Sequence, residues 1–151
     1  MRYLGLDLGT KTLGVAVSDL TNTIATSIGI IRFDNENYKE TYKPLKKIID
    51  ENKITTIVLG LPKNMNNSIG FRGEATLEYK RMLESWFCIS VIMQDERLTT
   101  VEATNYMLEA NLSRKKRKKS IDALAASIIL QTYLDIKRKD EKYGKWGNND
   151  I

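Results

Sequence analysis

The sequence has 151 residues, with 24 Lys and Arg against 19 Asp and Glu, one Cys and no His. Its 42% hydrophobic content predicts one globular domain. Its single cysteine excludes an internal disulfide and suits a reducing cytosol. No apolar run is long enough for a membrane span. The lack of His excludes Ser-His-Asp and Cys-His nucleophile systems and HExxH zinc sites, which leaves carboxylates and hard cations as the main route to hydrolysis.

The first part of the chain is predicted to form three strands joined by short turns. Apolar residues dominate 2–8, 13–18 and about 23–33. The short connections favour an antiparallel meander. Asp7 interrupts the first apolar run, and an unpaired charge in such a strand costs several kcal/mol unless something compensates it. Asp7 is therefore a candidate functional residue.

Helices and strands alternate after the meander. Residues 54–59 and 88–93 are the predicted fourth and fifth strands. Three helices have polar residues suited to N-caps, namely Thr41, Thr99 and Ser120, the last for a helix over about 121–136. This order predicts an α/β fold with a mixed five-stranded sheet, in which three antiparallel strands precede two parallel ones, flanked by helices on both faces.

Positive charge is concentrated in the last quarter of the chain. Residues 1–113 carry 13 basic and 14 acidic side chains, whereas residues 114–151 carry 11 and 5. Six consecutive basic residues are expected to form a solvated loop, either as a solubilising run or as a phosphate clamp for nucleic acid: Arg114, Lys115, Lys116, Arg117, Lys118 and Lys119. Beyond them, residues 137–151 are charged and rich in Gly and Asn, which predicts a flexible tail.

Acidic residues are expected to meet at one edge of the sheet. Asp7 lies near the end of the first strand, and Asp95 and Glu96 lie at the end of the fifth. Asp122 falls in the first turn of the last helix, where the helix dipole favours a carboxylate. Each acid alone also has a structural explanation, such as pairing of Glu96 with Arg97. Together they suit Mg²⁺ or Mn²⁺, and two such ions can hydrolyse a phosphodiester.

Four motifs together resemble the YqgF/RuvX family, over about residues 1–136. They are DLGTKTLGVA at 7–16, GLP at 60–62, DERLTTVEA at 95–103 and DALAA at 122–126. The resemblance implies an RNase H-like fold related to the RuvC resolvases and a pre-16S rRNA nuclease that acts in ribosomal RNA maturation. It also implies that Asp7, Glu96 and Asp122 are the metal-binding catalytic acids. By the same resemblance, the residues lining the site are Lys11, Arg97 and Thr99.

These expectations define one nuclease domain over residues 1–136, two Mg²⁺ or Mn²⁺ ions, and structured RNA, branched DNA or ribosomal precursor particles as partners. The chain is expected in the cytoplasm, as a monomer or a homodimer. Three alternatives stay open at this stage. They are a Holliday-junction resolvase acting on DNA, a non-catalytic RNA-binding assembly factor, and an ATPase of the sugar-kinase type, which the short chain disfavours because those proteins need two such domains.

Overall fold

The structure is a computed structural model that describes the backbone of residues 2–62, 66, 68–96 and 117–149, and their side chains except those of 117–123 and 141–149. The helix predicted after Thr99 lies outside the described residues. The elements in chain order are β1 (Arg2–Leu8), β2 (Thr12–Ser18), β3 (Ala25–Arg32), a 3₁₀ turn (Tyr38–Thr41), α1 (Tyr42–Asn52), β4 (Ile54–Leu61), α2 (Phe71–Phe87), β5 (Ser90–Asp95) and α3 (Arg117–Asn149).

The five strands form one mixed sheet in the order β3-β2-β1-β4-β5. β1, β2 and β3 pair antiparallel, while β4 and β5 run parallel to β1. Leu6 pairs with Leu59 on β4, and Gly60 pairs with Gln94 on β5. The prediction of three antiparallel strands followed by two parallel ones is confirmed, and β1 and β4 are the central pair that positions the site.

Helices cover both faces of the sheet, as predicted. Successive side chains of a strand point to opposite faces, so each strand contributes to two separate cores. On one face, Leu4 and Leu6 of β1 pack with residues of α1 and α2, including the fully buried Leu45 and Tyr79. On the other face, α3 covers the sheet through a second core that includes Tyr3, Ala16, Val58, Leu130 and Leu134.

α3 is fixed to the sheet by a buried glutamine and by a close approach to β1. The Gln131 side chain accepts a hydrogen bond from the Ala25 amide and donates one to the Thr23 carbonyl, both at 2.9 Å. A Cβ added at Gly5 would lie 2.6 Å from Cβ of Leu130, so the helix packs directly on the strand backbone. These contacts set the position of α3 relative to the end of β1.

The predictions for the last helix need correction. α3 begins at Arg117 and runs to Asn149, instead of beginning after Ser120 and ending near residue 136. Ser120 is therefore inside the first turn, and 117–119 are helical although a loop was predicted for the whole basic block. Lys and Arg are good helix formers, and no Pro interrupts this stretch, so the helix continues through both charged segments.

Two other boundaries differ from the prediction for local reasons. β5 begins at Ser90 because Cys88 adopts a left-handed conformation, with a φ of 56°, and ends α2 by donating its amide hydrogen to the Glu84 carbonyl. Thr41 precedes α1 but makes no capping bond, because its hydroxyl donates to the Tyr38 carbonyl at 2.7 Å. Within the described parts of the chain, none of the helices has the length and hydrophobicity needed to cross a bilayer.

Candidate active site

Asp7 lies near the end of β1 on the face covered by α3. Every second side chain of β1 faces that helix, and Asp7 follows Tyr3 and Gly5 in the series. Its partner position on β2 is Gly14, which leaves the neighbouring strand without a side chain there. Asp7 is half-buried. The acid that looked anomalous in the sequence thus faces the space between the sheet and α3.

Glu96 follows β5 directly and lies on the same face as Asp7. Val91 and Met93 of β5 pack toward α1 and α2, so the alternation along the strand directs Glu96 to the other face. The side chains of Asp7 and Glu96 are joined by a hydrogen bond. Since a carboxylate has no proton to donate, one of the two groups carries a proton in this arrangement. The predicted convergence of these two acids is therefore present in the fold.

The environment of the pair keeps Glu96 protonated well above the pH at which a glutamate side chain usually ionises. Burial is the largest cause, followed by the charge of Asp7 and the hydrogen bond to it, and together they raise the pKa of Glu96 from 4.5 to about 7. Asp95 adds to this rise through its charge, whereas the guanidinium of Arg72 opposes it. Because the two acids are half-buried and in contact, a positive charge placed beside them would stabilise the pair.

A cavity of about 240 Å³ opens beside the pair, lined by Asp7, Glu96, Ala125, Ile128 and Ile129. One wall carries both carboxyl groups and the other is apolar and belongs to α3. Such a volume accommodates several water molecules or hydrated ions. The apolar side chains of this wall lower the polarity of the surroundings of the acids, which strengthens electrostatic interactions made beside them.

Asp122, the third predicted acid, lies in the second turn of α3 and not in the first as predicted, because the helix begins at Arg117. Its backbone is helical and lies one turn before Ala125, which lines the cavity. The Asp122 side chain is outside the described part of the structure. Among the residues that are described, no group of three or more His, Cys, Asp or Glu side chains forms a metal cluster. The described acids of the cavity are therefore two, and the participation of Asp122 stays a prediction.

The donor set fits a hard divalent cation. Two carboxyl groups in contact supply oxygen ligands alone, with neither His nor Cys in the lining of the cavity. Mg²⁺ and Mn²⁺ prefer this chemistry, whereas structural zinc prefers nitrogen and sulfur. A cation between the carboxylates also compensates the repulsion that otherwise keeps a proton on the pair.

Arg72 is a basic residue near the site that the sequence analysis missed. Its guanidinium donates to the Leu8 carbonyl at 2.8 Å, immediately after Asp7 in the chain, and its charge acts on Glu96. The residue is otherwise exposed to solvent. A signal was present in the sequence, because Arg72 occupies the first turn of α2, where the helix dipole disfavours a cation.

The other predicted contact residues are only partly described. Lys11 lies exposed in the β1–β2 turn, where its carbonyl accepts a hydrogen bond from the amide of Phe33. The side chains of Arg117, Lys118 and Lys119 are not described, although their backbone belongs to α3. The remaining predicted contacts lie outside the described residues: Arg97, Thr99, Arg114, Lys115 and Lys116.

Comparison with known proteins decides the family. The sequence profile of RuvX, described as Holliday junction resolvase, matches residues 1–136. The chain is a member of the RuvX family. A relative from Staphylococcus saprophyticus is 52% identical over 135 residues, which span 89% of this chain and 95% of that protein. A second relative, from Geobacillus sp. strain WCH70, is 52% identical over 138 residues, which span 91% of this chain and 100% of that protein. Both are named "Putative pre-16S rRNA nuclease".

Solved structures show that this RuvX chain has the RNase H-like fold of RuvC. Thermus thermophilus RuvC in complex with a Holliday junction substrate superposes with a TM-score of 0.67 at 11% identity, covering 92% of this chain and 96% of that one. The fowlpox virus Holliday junction resolvase gives a TM-score of 0.54 at 14% identity, covering 89% and 99%. The family and the fold implied by the sequence motifs are both confirmed.

Proposed function

We propose that this RuvX chain is a nuclease that hydrolyses phosphodiester bonds in the precursor of 16S ribosomal RNA, with Mg²⁺ or Mn²⁺ held by Asp7, Glu96 and Asp122. The observation that carries the proposal is the hydrogen-bonded pair of Asp7 and Glu96 beside an open cavity. The names of the two relatives at 52% identity support ribosomal RNA as the substrate.

Contact between the two acids lowers the stability of the folded protein when no ligand is bound. Burial and mutual repulsion raise the pKa of Glu96 to about 7, so without a ligand the fold gains no stability from this pair. A bound cation would offset this cost, because Asp7 and Glu96 would serve as its ligands in their ionised form. The backbone of Asp122 lies one helical turn before the cavity-lining Ala125, which supports its inclusion in the proposed ligand set.

The bound ions would activate a water molecule for attack on phosphorus and stabilise the leaving oxygen. The protein's own part is to hold the two carboxyl groups at the ends of β1 and β5, on either side of β4 in one sheet, so that little reorganisation accompanies binding. The apolar wall of Ile128 and Ile129 excludes bulk water from one side of the cavity. The exposed Lys11 and Arg72, together with the basic sequence block at 114–119, supply the positive charge that draws the phosphate backbone.

The decisive test is Mn²⁺-dependent cleavage of precursor 16S rRNA by the wild type and by Asp7→Asn. The wild type should cut the RNA only with a divalent cation, and Asp7→Asn should lose at least about a hundredfold in rate while keeping its fold by circular dichroism. Asp19→Asn is a matched control, since Asp19 is an acid in the exposed β2–β3 turn, bound to Thr21 and Thr23. Equal cleavage by the wild type and Asp7→Asn would contradict the proposal.

A second candidate is a resolvase that cuts branched DNA, favoured by the RuvX family description and by the similarity to RuvC. A four-way DNA junction assayed beside the RNA separates the two. Symmetrical cuts in the junction would require two sites and therefore a dimer. RNA binding with no cleavage of either substrate would instead favour a non-catalytic assembly factor. In that case, neutralising Lys115, Lys116 and Arg117 should weaken binding and flatten its salt dependence.

A further inference from the structure

Gly60 lies between the two acids on the strand that separates them. Leu6 pairs with Leu59, so the next position on each strand sets Asp7 of β1 beside Gly60 of β4. On the other side, Gly60 pairs with Gln94 of β5, two residues before Glu96. The three strands lie side by side in the order β1-β4-β5. Gly60 is thus the position of β4 over which Asp7 and Glu96 approach each other.

The spacing of strands makes this position critical. Neighbouring strands are about 4.8 Å apart, so the backbones of β1 and β5 are separated by roughly 10 Å. Asp7 and Glu96 are nevertheless hydrogen-bonded, which requires both side chains to cross the space above β4. Any side chain at the intervening position of that face would occupy the same space.

The contacts around Gly60 show how little room there is. A Cβ added at Gly60 would lie 2.8 Å from Oε1 of Glu96, 3.2 Å from its Cγ and 2.5 Å from Cδ1 of Ile129. Gly60 is not among the described glycines with positive φ, so its backbone conformation is one that any residue adopts. The requirement for glycine is therefore spatial: the Glu96 side chain lies directly on the backbone of β4.

We propose that Gly60 is a positioning residue for the active site, whose missing side chain lets the Glu96 carboxyl reach Asp7 across β4. The proposal rests on the proposed function for its catalytic meaning. Its structural content is independent of the substrate, because it concerns the distance between two carboxyl groups. A methyl group at Gly60 would push Glu96 away from Asp7 and separate the ligands of the cation.

The test compares Gly60→Ala with a glycine of equal tightness on the same face. A Cβ added at Gly5 would lie 2.6 Å from Cβ of Leu130, and its three nearest atoms belong to Leu130 and Ala126 of α3 and to neither acid. Both Gly5→Ala and Gly60→Ala should lower the melting temperature. Only Gly60→Ala should lower Mn²⁺ affinity, measured by calorimetry on the apo protein, by about tenfold or more, as expected when a ligand loses its support. Equal Mn²⁺ affinity in the two variants would overturn the proposal.

A double variant separates the positioning effect from instability. Ile129→Val removes the Cδ1 atom that a Cβ at Gly60 would meet at 2.5 Å, while the contacts with Glu96 remain. Gly60→Ala/Ile129→Val should therefore melt at a higher temperature than Gly60→Ala but bind Mn²⁺ no better. Affinity restored to the level of Ile129→Val alone would overturn the proposal, because the defect would then arise from helix packing.

Two further readouts make the result independent of folding and of substrate. In the wild type, nuclear Overhauser contacts should join the Gly60 α-protons to the Glu96 γ-protons, and their absence would overturn the proposal without any Gly60 variant. In Gly60→Ala, the nuclear Overhauser contacts of the Glu96 γ-protons should move away from β4, and a pattern unchanged from the wild type would overturn the proposal. If the wild type binds Mn²⁺ but cleaves neither RNA nor DNA, the proposed function fails, while these measurements still test the role of Gly60.

Discussion

Replacing Glu96 with Gln should stabilise the metal-free protein above neutral pH. Below about pH 4.5, Glu96 is protonated in both the folded and the unfolded chain and costs nothing. As the pH rises, the unfolded chain ionises first, because burial and Asp7 raise the folded pKa to about 7. The folded state thus loses stability between these values, and the full cost is present above pH 7. Glu96→Gln removes this pH dependence.

The size of the effect follows from the shift. The rise in the pKa of Glu96 from 4.5 to about 7 sets an upper bound of about 3 kcal/mol on the gain in unfolding free energy. Solvent screening of the part-exposed carboxyl reduces this gain to about 1–2 kcal/mol. For a chain of 151 residues this corresponds to a rise in melting temperature of about 3–6 °C.

The assay is thermal unfolding with a chelator, at pH 4 and pH 8. The wild type and Glu96→Gln should melt together at pH 4, and Glu96→Gln should melt higher at pH 8. Glu78→Gln is the control, since Glu78 is an exposed acid paired with Arg81 on α2, and its substitution should change stability by less than about 0.5 kcal/mol. Adding Mg²⁺ should raise the melting temperature of the wild type and leave that of Glu96→Gln nearly unchanged. The reasoning would be refuted if Glu96→Gln and the wild type had the same melting temperature at pH 8, or if their melting temperatures differed more at pH 4 than at pH 8.

Three further predictions concern neighbouring groups. Arg72→Met should raise the pKa of Glu96, because the guanidinium stabilises the ionised form of that carboxyl. The pH midpoint of Mn²⁺ binding should therefore move upward. Arg81→Met is the control and should leave that midpoint unchanged. Gln131→Leu should cost about 1–3 kcal/mol in urea unfolding, because the buried amide of Ala25 loses its acceptor; a loss below 0.5 kcal/mol would show that α3 is held in place by apolar packing alone. Thr132→Val should stabilise the fold by about 1 kcal/mol, because the Thr132 hydroxyl is buried with no hydrogen-bond partner among the described residues; a lower melting temperature would indicate that the hydroxyl has a partner after all.

The strand directions and the convergence of Asp7 and Glu96 at one edge of the sheet were predictable from the sequence. Short turns forced β1, β2 and β3 into a meander, and the rule that parallel strands end at one edge brought residues 7 and 96 together. Asp7 was recognisable because a charge in an apolar strand is costly. The side-chain position of Asp122 and the residues at 97–116 stay predictions.

Other features could not be read from the sequence because they depend on neighbours in space. Gly60 marked only the expected end of a strand, and its closeness to Glu96 emerges once β4 is known to lie between β1 and β5. Arg72 is far from Leu8 in the chain, so its bond to that carbonyl depends on how α2 packs. The length of α3 was underestimated because charge and glycine content were taken to favour a tail, whereas helix propensity favoured continuation.

The helix that completes the second core follows all five strands of the sheet in the chain. Gln131 bonds to Ala25 across 106 positions, so the face carrying Asp7 and Glu96 stays uncovered while the ribosome makes the first hundred residues. Until then Tyr3, Ala16 and Val58 have no cover from α3. A growing chain therefore presents Asp7 and Glu96 before it has α3, and the cavity wall formed by Ala125, Ile128 and Ile129 is added only when that helix packs on the sheet.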